Sequence, residues 1–211
     1  TRSLVVTGVQ TCALPICPAP GGGAPSSRFC ASYRPRAADA GPGWLTGTVR
    51  ASHGRAGNPT MGYMTIAIVG AGPGLGAAVA RKFGREGFAV ALIARNPTKL
   101  EALEKRLAAD GVTARGYVAD VRDRAALTRA LGSAAEDLGP IEVMQFSPVP
   151  GADFLKPVLE TTVEDLRAAV ELSILGFSTA VRQVLSGMLE RGAGTILLIN
   201  GSSAATPNVV G

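Results

Sequence analysis

Past Cys30 the chain contains no cysteine, and Trp44 and His53 are its only tryptophan and histidine. A cysteine-free remainder builds neither a disulfide framework nor a thiolate metal centre, and it suits a reducing compartment. A cytoplasmic location is the expectation. The spacing of Cys12, Cys17 and Cys30 matches no common zinc pattern, so no metal is expected. No uninterrupted apolar run is long enough to span a bilayer. Near the N-terminus Thr7, Gly8, Gln10 and Thr11 break the apolar core that a signal peptide needs. A charge imbalance is also missing from most of the chain. The formal net charge of +5 lies wholly in residues 1–60, which hold six arginines and one acid, Asp39. Residues 61–211 are balanced at 15 basic and 15 acidic side chains, which removes the electrostatic case for a nucleic-acid partner.

Residues 18–60 are rich in Gly, Pro, Ala, Ser and Arg and have no helical or strand period. Such a composition buries too little apolar surface to offset chain entropy, so a disordered tail over residues 1–63 is expected. Residues 7–16 resemble the in-frame translation of a common sequencing-adapter oligonucleotide. Residues 1–16 are therefore expected to be an assembly artefact, and residues 17–60 translated upstream sequence or a disordered extension. The natural start is then Met61 or Met64.

At Met64 the pattern changes. "TIAIV" is a short β-rich run, followed by a glycine-rich turn and a helix with Ala77, Ala80, Phe83 and Gly84 on one face. "FAVALIAR" is a second strand. "PTKLEALEKRLAADG" is a helix with Pro97 near its start, a Leu100, Leu103, Leu107 stripe and Gly111 beyond its end. "VTARGYVADV", "IEVMQFS" and "GTILLIN" are further strands. Between them lie the helix "RDRAALTRALGSAAEDLG" and a long helix opening at Thr162. Along that long helix Val163, Leu166, Val170, Ile174, Phe177, Val181, Val184, Leu185 and Met188 recur at helical spacing, which predicts one continuous apolar stripe. Alternating strands and helices with short connections imply an α/β fold, a doubly wound parallel sheet of Rossmann-like type.

The turn after the first strand reads Gly70-Ala71-Gly72-Pro73-Gly74-Leu75-Gly76. Unpaired N–H groups and the dipole of the following helix form an anion site there if no side chain blocks it. Gly70 would allow the tight turn, Gly74 the close approach of a diphosphate, and Gly76 close helix–strand packing. The alternative is a plain tight turn.

The spacing of Gly70, Gly74 and Gly76 resembles the T-G-x-x-x-G-x-G motif of the short-chain dehydrogenase/reductase family, with Val69 in place of threonine. The resemblance extends over residues 65–207, through "ADV" at 119–121, "GPIEVMQ", "SILGF" and "GTILLINGSSAA". It implies a partial NAD(P)-binding domain over 64–211. Cofactor contacts are expected from Gly70, Gly72, Pro73, Gly74, Leu75 and Gly76. Asp120 would hold the adenine amino group, Val121 would pack on the ring, and Ser147 would line the site. The second strand ends Ala94-Arg95-Asn96 without the acid that selects NAD, and Arg95 could clamp a 2′-phosphate. NADP is therefore favoured over NAD; the alternative is that Arg95 is a solvated loop charge.

The resemblance also implies the chemistry: a tyrosine acid, a lysine four residues later, a carbonyl-binding serine and an asparagine of the long helix, acting on a small-molecule carbonyl or alcohol. Ser203 matches the serine, with Ser202 the alternative, and the pair could also be turn-forming residues. Ser173 stands at the asparagine position, and Ser147-Pro148-Val149 replaces Asn-Ala-Gly. None of Tyr33, Tyr63 and Tyr117 begins a Tyr-x-x-x-Lys pattern. The expectation is a chain truncated before its acid, inactive as it stands, whose full-length protein is a homo-oligomer. It also follows that "GTILLIN" is left as an exposed edge, with Ile196 and Leu198 uncovered. A non-catalytic dinucleotide-binding sensor on the same fold is the rival.

Overall fold

The computed structural model describes residues 10–15, 64–151 and 156–200. Five parallel strands run β2 Thr65–Val69, β3 Ala89–Ala94, β4 Ala114–Val118, β5 Ile141–Phe146 and β6 Thr195–Asn200. A further strand, β1 Gln10–Pro15, pairs antiparallel with β6, from Gln10 opposite Asn200 to Pro15 opposite Thr195. The order across the sheet is β1-β6-β5-β2-β3-β4. Two expectations are corrected here. Gln10–Pro15, read as part of a structureless tail, is a strand. The outer edge of β6 is consequently paired rather than open, and Ile196 is buried. A row of unpaired β6 backbone groups readily takes up any extended segment, whatever its sequence origin.

The chain runs outward from β2 through β3 to β4, then returns to the other side of β2 for β5 and β6. The reversal falls between β2 and β5, which opens a crevice at their C-terminal ends. Apolar runs of β-branched and small residues build the central strands, which are buried on both faces. Helices α1 Leu75–Arg85 and α2 Pro97–Ala109 cover one face, sealing Ile66, Ile68, Val90 and Leu92 with Leu100, Leu103 and Leu107. Helix α3 Arg124–Leu138 and the long helix cover the other, around Val69, Ile93, Met144, Leu127 and Leu131. Leu131 is fully buried there. Leu131→Ala is expected to destabilise the domain by about 2–5 kcal/mol, read by denaturant unfolding.

Local caps explain the boundaries. Asn96 closes the first turn of α2 by accepting from the Lys99 N–H at 2.9 Å, and Asp123 does the same for α3 through Ala126. At Thr162 a reciprocal capping box with Asp165 starts α4 Val163–Val170. Lys156 adds two hydrogen bonds to the same carboxylate, and these hold the Asp165 pKa down to about 2.

The long helix is not one straight α-helix. A π turn over Glu171–Leu175 separates α4 from α5 Gly176–Arg191, and the Gly176 N–H bonds back five residues to the Glu171 carbonyl. One extra residue in the turn places the α4 side chains about 100° from where an unbroken α-helix would put them. This corrects the continuous stripe. In α5, Ala180, Val184 and Met188 are buried and Phe177 and Val181 pack against them. In α4 no residue is buried: Asp165, Ala168 and Ala169 are half-buried, as is Leu172 beyond them, while Val163, Leu166, Val170 and Ile174 are exposed, Val163 at 67%. The combined Val163–Arg191 helix has the length and apolar composition to cross a bilayer. Glu171 and Arg182 interrupt it, however, and one side of α5 is sealed on the sheet.

Candidate functional site

The glycine turn joins β2 to α1 at the mouth of the crevice. The Gly70 and Ala71 N–H groups both bond to the Ile93 carbonyl, at 2.9 and 3.0 Å, which ties the turn to β3. Gly70 has φ +90°, and a Cβ there would lie 2.5 Å from Pro148 N and 2.6 Å from the Ser147 carbonyl carbon. Only glycine fits this meeting of the turn with the end of β5. At Gly76 a Cβ would approach Ala71 Cα to 3.1 Å, so α1 starts close against the turn.

Gly72 and Gly74 differ. A Cβ at either would meet nothing within 4 Å, so the backbone there borders open space that a side chain would fill. Gly74 is the N-cap of α1 and makes no side-chain cap, and the first turn carries no acid. The helix thus presents its positive end to this space without an internal counter-charge. Such a cradle fits a diphosphate.

At the neighbouring strand ends, Arg95 and Pro73 are exposed, Leu75 is half-buried and Val121 is buried. Asp120 is already engaged. Its Oδ1 accepts the Arg122 backbone N–H at 2.9 Å and Nε–H at 3.3 Å, and its Oδ2 accepts from Nη2 at 2.9 Å. These bonds hold the Asp120 carboxyl below the usual carboxylate range, with Arg95 adding to the effect. The Arg122 contact was not anticipated from sequence. The long helix approaches the same turn through Gly176, where a Cβ would lie 2.9 Å from the Val121 carbonyl oxygen.

Ser147 follows β5, and its N–H donates to the Val69 carbonyl at 2.8 Å. The structure therefore brings Gly70–Gly76 and Ser147 together at the crevice, with Arg95, Asp120 and Val121 at the ends of β3 and β4. Ser173 lies exposed within the π turn. Ser202 and Ser203 lie outside the described residues. Tyr117 is no substitute acid. It sits on the edge strand, donates to Asp137 at 3.0 Å, and burial together with that carboxylate pushes its pKa far up.

Comparison with known proteins agrees with this geometry. The short chain dehydrogenase family matches residues 64–211. The chain is 33% identical over 142 residues to the 2,3-dihydro-2,3-dihydroxybenzoate dehydrogenase of Bacillus subtilis, covering 66% of this chain and 53% of that protein. It is 31% identical over 147 residues to an NADP-dependent 3-hydroxy acid dehydrogenase of Salmonella typhi, covering 68% and 56%. Among solved structures, an actinorhodin polyketide ketoreductase variant with NADPH superposes with a TM-score of 0.58 at 32% identity, covering 63% of this chain and 51% of that one. The chain spans about half the length of the curated relatives it matches. With a parallel doubly wound sheet, a glycine cradle at its switch point and a family match over residues 64–211, the chain belongs to the short-chain dehydrogenase/reductase family of oxidoreductases.

Proposed function

We propose that this chain carries the dinucleotide-binding part of an NADP-preferring oxidoreductase acting on a small carbonyl or alcohol. The observation that carries the reading is the open cradle at Gly72 and Gly74 on the uncapped N-terminus of α1. Backbone N–H groups of Gly72, Gly74, Leu75 and Gly76 would hold the pyrophosphate. Gly70 and Gly76 would shape the turn, and Pro73 and Leu75 would border it. Val121 would flank the adenine. Asp120 would accept from its amino group by sharing or displacing Arg122. Ser147 would contact the cofactor from β5. Arg95, exposed where a NAD-selecting acid would stand, supports the 2′-phosphate. The name of the Salmonella relative and the NADPH of the ketoreductase structure point the same way.

When bound, the nicotinamide supplies or accepts the hydride. Ser203 would orient the substrate oxygen and Ser173 would stand in for the relay asparagine. The exposed Val163, Leu166, Val170 and Ile174 suit burial against a second copy in the full-length protein, which we place in the cytoplasm. The rival reading, a dinucleotide sensor without turnover, is favoured by Ser173 and by Ser147-Pro148-Val149 at positions where the family carries asparagines.

Titration of the 211-residue chain with NADPH and NADH is expected to give saturable binding, tighter for NADPH. Steady-state assays with ketones and aldehydes are expected to give no reduction, because the chain has no Tyr-x-x-x-Lys. Absence of any dinucleotide binding overturns the proposal. NADPH-dependent carbonyl reduction by this chain overturns the expectation that it is inactive without a Tyr-x-x-x-Lys pair.

A further inference from the structure

Gln145 is fully buried in β5, between Ile68 of β2 and Leu197 of β6. Among the described residues its Oε1 is the one buried side-chain oxygen or nitrogen without a hydrogen-bond partner. Leaving an amide oxygen unpaired costs about 1–3 kcal/mol. An apolar side chain of the same size would serve the sheet better, so the stability of the fold does not account for a glutamine here.

What the side chain does is bind Ser147. Its Nε2 donates to the Ser147 Oγ at 2.8 Å. Rotating the carboxamide by 180° would make Oε1 the acceptor and leave Nε2 unpaired, so either orientation fixes the serine and strands one polar atom. Ser147 forms the β5 wall of the crevice, directly against the Gly70 turn. The next residue, Pro148, has no N–H, so the backbone there offers no donor. In the observed arrangement Ser147 Oγ accepts from Gln145 and retains its own proton to donate.

We infer that Gln145 is a positioning residue for dinucleotide binding: it holds the Ser147 hydroxyl at the switch-point crevice, where its proton can be given to a ligand oxygen. The inference rests on the dinucleotide reading above. It is tested by NADPH titration and thermal unfolding of the parent chain, Gln145→Met, Ser147→Ala and the double variant. Gln145→Met is expected to weaken NADPH binding by about threefold to tenfold, the worth of one hydrogen bond, with Tm unchanged or raised. The double variant is expected to bind no more weakly than Ser147→Ala alone, because both changes break one contact. Unchanged affinity in Gln145→Met overturns the inference. So does a loss that tracks a fall in Tm, which marks a purely structural role, and so does additivity with Ser147→Ala. A parent chain that binds no dinucleotide overturns this inference and the proposed function together; a parent that binds beside an unaffected Gln145→Met overturns this inference alone.

Discussion

Gly70→Ala is expected to destabilise the domain by about 2–5 kcal/mol and lower Tm by roughly 10 °C. Two effects act at the same atom. The backbone sits at φ +90°, where an L side chain is strained. The new methyl would also stand 2.5–2.6 Å from backbone atoms of Ser147 and Pro148, which cannot rotate aside as a side-chain tip can. Gly72→Ala is the matched control. Its methyl meets nothing within 4 Å, so the expected stability change is about 1 kcal/mol or less. Its effect should appear instead in NADPH affinity, because the methyl enters the space assigned to the pyrophosphate. Circular-dichroism melts and NADPH titrations of both variants separate the roles. A Gly70→Ala chain with parental Tm would contradict the close contact between the β2 turn and the end of β5.

Arg95→Glu is expected to weaken NADPH binding by about 10–100-fold and leave NADH binding unchanged or improved. A charge-assisted bond from guanidinium to phosphate contributes about 1.5–3 kcal/mol, and reversing the charge replaces it with repulsion. Arg95 is exposed, so folding should change by no more than about 0.5 kcal/mol. Asp120 remains ionised at neutral pH in this variant, since Arg122, the larger cause of its lowered pKa, is untouched. Equal loss of NADPH and NADH affinity would show that Arg95 supports the site generally and does not select the phosphate.

The alternation of strand and helix was legible because its signals are local. Leu100, Leu103 and Leu107 repeat at helical spacing and are buried together, and Thr162 with Asp165 forms the cap that its position suggested. The glycine turn was legible at Gly70 and Gly76, where a Cβ would crowd neighbouring backbone atoms. What stayed hidden depends on contacts that sequence period does not carry. Val163 to Met188 read as one stripe because a 3.6-residue period cannot register one inserted residue in a π turn. Gln145 was passed over inside an apolar run, "VMQFS", where only burial distinguishes it. Arg122 was read as part of a helix start, although its guanidinium turns back onto Asp120. The strand Gln10–Pro15 carries no alternation of its own and exists through the ladder that β6 offers it.

The π turn lets α4 present a different side from the one an unbroken helical count assigns it. Deleting a single residue between Glu171 and Leu175 would restore ordinary winding and leave Val163, Leu166 and Val170 facing as they do now, because the extra residue is the one removed. The rest of the domain, from Gly176 onward, would keep its seat. Straightening the turn with every residue kept would instead swing that oily flank about a quarter-circle around the helix axis.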